Sequence, residues 1–278
     1  MVSDGATGTN LQKSGLSSGM QSEDWVFDHP EKILDLEKAF VDAGSDIILT
    51  CTFGGTRLRL KSAKHGQKVF ELNKCAAELA REAASSRQGV LVGGSMGPIG
   101  QLLKPFGPIS YDEAKDGFAE QAGALADGGV DLLVIETHFA LEEADAALDG
   151  ARTATDLPIV ISFSYDRGMR TMMGVKPAEV IKKYKSKGAQ MVGANCGTTL
   201  ENMEIIINEY AKTEVGYPLW AKPNAGLPRL VENQTTYDVT SELMAEFAIK
   251  YVKNGAKVVG GCCGSTPAHV EAIVKAVK

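Results

Sequence analysis

The sequence predicts a single (β/α)8 barrel over residues 1–278. Three observations carry the prediction. Eight short apolar runs read as buried strands, amphipathic helical stretches lie between them, and a glycine stop recurs just before several of the runs.

The predicted strands lie near residues 2–4, 46–52, 89–95, 131–136, 158–164, 191–196, 218–223 and 257–262. Runs such as Ile47-Ile48-Leu49 and Leu132-Leu133-Val134-Ile135 are apolar on both faces, as in a parallel sheet covered on both sides. Gly44-Ser45-Asp46, Gly129-Val130-Asp131, Gly188-Ala189-Gln190 and Gly255-Ala256-Lys257 each precede such a run. A glycine there takes the left-handed conformation that closes a helix. Upstream, residues 31–43 place Ile33, Leu36, Ala39, Phe40 and Ala43 at helical spacing, and residues 111–127 do the same with Ala114, Phe118, Ala122 and Leu125. Ser265-Thr266-Pro267 opens the last helix with a hydroxyl cap and a first-turn proline. Strand–helix alternation implies a parallel sheet with crossover helices. The runner-up is an open doubly wound sheet, but neither G-x-G-x-x-G nor G-x-x-x-x-G-K occurs. Residues 99–110 form the longest expected irregular loop.

Composition narrows the function. Twenty-nine basic and 35 acidic side chains leave a net charge of −6, which argues against nucleic acid as the main partner. No apolar stretch approaches the ~18 residues that cross a bilayer. Met1-Val2-Ser3-Asp4 has neither a basic patch nor an apolar signal core, so a cytoplasmic location is expected. The five cysteines stand at 51, 75, 196, 262 and 263. An odd number without a signal favours free or metal-bound thiols over a disulfide framework.

In such a barrel the chemistry sits where strands end. The unusual residues gather there: Asp4-Gly5-Ala6-Thr7-Gly8-Thr9, Glu136-Thr137, Asn195-Cys196-Gly197, Lys222-Pro223-Asn224 and Gly260-Gly261-Cys262-Cys263-Gly264. Gly260, Gly261 and Gly264 permit a bend that turns both neighbouring sulfurs to one point. With Cys196 they make a three-thiolate site that suits zinc, and three protein ligands leave one position open. The alternative is a buried core thiol at 196 with a vicinal disulfide or packing pair at 262–263. Lys222 is read as a solvated or phosphate-facing lysine, with a Schiff-base lysine as the sharper alternative. Glu136 is an ammonium ligand or base, or else a capping or loop carboxylate. Asp4 orders the first loop and binds substrate, or caps a helix. Histidines 29, 65, 138 and 269 show no metal-like spacing and read mostly as surface residues, with His138 the one near the rim. Cys51 lies close to the rim, and Cys75 reads as core.

These segments, with Pro223-Asn224-Ala225-Gly226-Leu227-Pro228 and Gly193-Ala194-Asn195-Cys196, resemble the homocysteine S-methyltransferase family over essentially the whole chain. Met96-Gly97-Pro98-Ile99-Gly100 and Arg170-Thr171-Met172-Met173-Gly174 are closest to the homocysteine-binding module of cobalamin-dependent methionine synthase. The resemblance implies a barrel with zinc on Cys196, Cys262 and Cys263, and homocysteine thiolate as the incoming ligand. It implies that Asp4, Gly5, Ala6, Thr7 and Glu136 hold the amino-acid end, with Asn224 near the open zinc position. The product that the resemblance implies is methionine. The expected donor is a methyl-corrinoid (methylcobalamin) on a separate protein, with the chain either free-standing or a piece of a longer one. Alternatives are a different thiol acceptor, a sulfonium or quaternary-amine donor, a Schiff-base lyase using Lys222, or a zinc-binding barrel without turnover. Cys51 stands where the family usually has Asn, and Ala140 where it often has Asp or Asn. His138 and Phe139 are unusual in that loop.

Overall fold

A computed structural model of the chain describes all residues except Ser18, Glu232 and Asn233. The strands are β1 (Ile47–Leu49), β2 (Leu91–Met96), β3 (Leu132–His138), β4 (Ile159–Phe163), β5 (Met191–Asn195), β6 (Leu219–Lys222), β7 (Arg229–Val231), β8 (Gln234–Thr236) and β9 (Ala256–Val259). Strands β1 to β6 and β9 form one parallel sheet in sequence order. The N-terminus closes the ring: Val2 bridges Val259 and Ser3 bridges Ile47, both parallel. The Ser3 amide donates to Val259 O at 2.8 Å and the Asp4 amide to Ile47 O at 2.9 Å. The predicted α/β barrel is therefore what forms.

Long helices such as Pro30–Asp42, Tyr111–Asp127 and Pro267–Val277 follow the strands and pack outside. The glycine stops behave as expected. Gly44, Gly129, Gly188 and Gly255 have φ of 99°, 87°, 77° and 105°. The polar residue two places on from three of them has a further task. The Val2, Val92 and Ile159 amides donate to Asp46 Oδ2, Asp131 Oδ2 and Gln190 Oε1, at 2.8, 2.7 and 2.7 Å. Each thereby pairs a buried backbone amide near the start of a neighbouring extended segment.

Two readings need correction. The hairpin β7–β8 lies between β6 and β9, where no strand was predicted. Arg229, Leu230 and Val231 are all exposed, so burial leaves no pattern in its sequence. His138, the last residue of β3, is buried in the core and is not a surface residue. Thr137 has φ 65°, which breaks the strand alternation and aims His138 outward against Phe118. Burial holds its pKa down at about 3, so it is neutral. No helix among the described residues is long and apolar enough to cross a membrane.

Candidate active site at the strand ends

Alternate side chains of a barrel strand point inward. Leu49, Val134, Val160, Trp220 and Val258 belong to one apolar cluster in the interior. Glu136, Ser162 and Lys222 stand two residues beyond Val134, Val160 and Trp220. They carry the same inward orientation one layer nearer the strand ends, and there the interior turns polar. Ser95 Oγ donates to Glu136 Oε1 at 2.6 Å, and Ser162 Oγ to Asn195 Oδ1 at 2.6 Å.

The three thiols meet at this level. Cys196 Sγ lies 3.2 Å from Cys262 Sγ and 3.6 Å from Cys263 Sγ. All five cysteines are free. Backbone geometry brings the three together. Cys196 has φ 59°, and its amide donates to Lys222 O at 3.2 Å. The Cys262 amide donates to Pro223 O at 2.7 Å. A Cβ on Gly260 would sit 2.9 Å from Ser3 O, and one on Gly264, where φ is 82°, would collide with the Tyr237 ring. Only glycine allows the chain to turn here.

The trio fits a zinc ion. Sulfurs bonded at about 2.3 Å around a tetrahedral centre are about 3.8 Å apart, close to the observed spacings. The donors are soft, and they number three. Without a cation the sulfurs share their charge unequally. Contacts with Cys196 and Cys262 pull the Cys263 thiol down to about 3, while contacts with Cys262 and Cys263, and burial, push Cys196 well above the usual thiol value. Cys196 Sγ donates to Asn224 Oδ1 at 3.2 Å.

The opposite pole is ionic. Lys222 Nζ donates to Asp4 Oδ1 at 2.6 Å, and both residues are 2% exposed. Asp4 Oδ2 accepts from the Leu49 amide at 2.7 Å, and Oδ1 also accepts from Ser3 Oγ at 3.0 Å. Asp4 is therefore not a helix cap, since the helix Thr7–Lys13 is capped at Ala6. Lys222 is not solvated. Burial works against its charge, but the Asp4 and Glu136 carboxylates outweigh that and raise its pKa. A lysine held charged in this way lacks the free lone pair that a Schiff base requires. Glu136 lies on β3 and is not a loop carboxylate. Burial pushes its pKa up to about 7, against the pull of Lys222.

A cavity of about 320 Å³ joins the two poles. Gly5, Ala6, Thr7, Glu136, Lys222 and the three cysteines line it, together with Cys51 and Ser95. Asp4 and Asn224 do not line it; Asp4 stands behind Lys222, and Asn224 behind Cys196. The sequence reading assigned no role to Asn195, which links the poles. Its Nδ2 donates to Thr137 Oγ1 at 2.7 Å and lies 3.5 Å from Glu136 Oε2 and 3.8 Å from Cys262 Sγ. Its place directly before Cys196 was the one available signal. Tyr237, which helps to lower the Cys263 pKa, carried none.

Known proteins resemble the chain in sequence and in fold. The family model described as homocysteine S-methyltransferase matches residues 1–277. Proteins named methionine synthase from Mycobacterium leprae and Mycobacterium tuberculosis are each 28% identical over the whole chain. The chain spans about a quarter (24%) of their length. Among solved structures, the homocysteine methyltransferase MmuM from Escherichia coli superposes with a TM-score of 0.82 in its oxidized form, at 23% identity over 99% of this chain and 95% of that one. Its metallated form gives 0.82 at 24% identity, over 98% and 94%. The chain belongs to the homocysteine S-methyltransferase family.

Proposed function

We propose that residues 1–278 act as one barrel unit that holds zinc on Cys196, Cys262 and Cys263 and methylates homocysteine to methionine. The observation that carries this reading is the convergence of three free sulfurs on a cavity that also presents a carboxylate and an ammonium. Bound zinc supplies a cation that favours the anionic form of an added thiol, which is otherwise only a few per cent ionised at pH 7.

The chain's own residues bind and orient. Cys196, Cys262 and Cys263 fix the metal at one end of the cavity. Glu136, held by Ser95 and flanked by Asn195, accepts from the substrate ammonium. Gly5, Ala6 and Thr7 shape the wall beside it. Asn224 stands behind Cys196, and its Oδ1 accepts from the Cys196 thiol only while that thiol keeps its proton. The thiol proton leaves to solvent, the S–CH3 bond forms, and the donor keeps the electron pair of the bond it loses. No side chain has to act as general base.

A cavity of about 320 Å³ suits an amino acid, whereas a corrinoid is far larger and must present its methyl group at the mouth. The donor is read as a methyl-corrinoid on a separate protein or on another part of a longer polypeptide. The methionine synthase relatives, of which this chain matches about a quarter, support that reading. The test supplies zinc-loaded protein with homocysteine and, in turn, methylcobalamin, S-methylmethionine or betaine, and follows methionine by mass spectrometry. Methionine from methylcobalamin, lost on zinc removal, is expected. Methionine only with another donor would replace the corrinoid, and methionine with none would overturn the proposal.

A further inference from the structure

Among the described residues, the cavity lining contains two charged side chains besides the thiols, Glu136 and Lys222. They are one carboxylate and one ammonium, the complement of an α-amino-acid zwitterion. Asp4 is not free to serve as a third pole. Its two oxygens are taken by Lys222, Ser3 and the Leu49 amide, and it does not border the cavity. Lys222 has three N–H donors. One goes to Asp4 Oδ1, and among the described residues no second acceptor lies within hydrogen-bond distance of Nζ. Below it the face of Trp220 lies 5.9 Å away and offers no acceptor oxygen. Glu136 is near enough to attract Lys222, yet among the described residues it forms no ion pair with it. The site thus holds a buried, positioned cation with donors unspent at the edge of a cavity.

We propose that Lys222 is the carboxylate anchor of the acceptor pocket. Its ammonium, steadied by Asp4, takes the carboxylate of an α-amino-acid thiol while Glu136 takes the amino group. This inference rests on the thiol-methylation reading above and deepens it. It restricts the acceptor to thiols that carry a carboxylate and gives Asp4 the task of positioning Lys222 instead of touching substrate. Register supports the assignment: Lys222 pairs with Asn195 across β5 and β6, so the cation and the residue that flanks Glu136 sit at the same height in the barrel.

The test is calorimetric binding to the zinc-loaded full chain, with zinc content measured for every variant. The ligands are homocysteine and 3-aminopropane-1-thiol, which is homocysteine without its carboxylate. Loss of a charge-assisted bond at a desolvated site predicts that the unaltered protein binds the second thiol about 10- to 100-fold more weakly. Lys222→Met should weaken homocysteine by a similar factor and change the carboxylate-free thiol by less than about 3-fold. If burying Asp4 without its partner unfolds that variant, Lys222→Met with Asp4→Asn removes both charges and should give the same pattern. Equal affinity of the unaltered protein for both thiols, or equal weakening of both by the Lys222 variants, would overturn the anchor and leave thiol methylation standing. Failure of the unaltered protein to bind either thiol would overturn both.

Discussion

Two layers of the barrel interior, one strand repeat apart, are built for different ends. The lower layer, around Val134, Val160, Trp220 and Val258, is a buried apolar cluster whose one polar side-chain atom, among these four residues, is Trp220 Nε1. The upper layer, with Glu136, Asn195, Lys222 and the three cysteines, is polar: Asn195 reaches toward Glu136 and Cys262, and Lys222 is ion-paired to Asp4 behind it. The contrast teaches that stability and chemistry are separated by height in this barrel. Removing hydrocarbon below should cost folding free energy, and removing a ligand above should cost function.

The sharpest break would come from Cys262→Ala. It should reduce bound zinc from one per chain to nearly none and abolish methyl transfer, with the far-ultraviolet circular dichroism of the barrel unchanged. Full zinc occupancy in the variant would dissolve the distinction between the layers. Next in size is a control outside both layers. Glu143 is 2% exposed, and burial raises its pKa to about 7 although the Ile99 amide donates to it. A raised carboxyl favours the fold at low pH, and its contribution is lost as pH rises from about 4.5 through about 7. Glu143→Gln should remove about 3 kcal/mol of that decline, measured by urea unfolding at pH 5 and pH 8. Glu136, raised in the same way, accounts for part of the remaining slope. In the lower layer, Val160→Ala should cost about 2 kcal/mol while zinc stoichiometry stays at one. A cost of similar size is expected for Gly264→Ala, where the left-handed backbone and the Tyr237 ring together cost about 1–3 kcal/mol and the ring has to shift. Undiminished zinc affinity there would show that the turn is not needed to aim the sulfurs.

Much of this was legible in the sequence because burial on both faces leaves continuous apolar runs, and those runs became the sheet. The glycine stops were legible because left-handed helix ends favour one residue type. The cysteines could be placed together because predicted strand ends share one rim and the motif around them is distinctive. What escaped the sequence has equally physical causes. The Asp4–Lys222 pair joins residues 218 positions apart, and no local pattern records it. The burial of His138 escaped because strand alternation says nothing of the left-handed turn at Thr137 that sends its ring against Phe118. The β7–β8 hairpin is exposed, so its residues were under no demand to alternate.

The central claim is that Cys196, Cys262 and Cys263 hold a zinc ion with room for one more sulfur. X-ray absorption at the zinc edge, on the zinc-loaded protein before and after homocysteine is added, tests it directly. The account predicts three sulfurs and one nitrogen or oxygen neighbour at first, and four sulfurs afterwards. A shell unchanged by the added thiol, or one with fewer than three sulfurs from the protein, would contradict it.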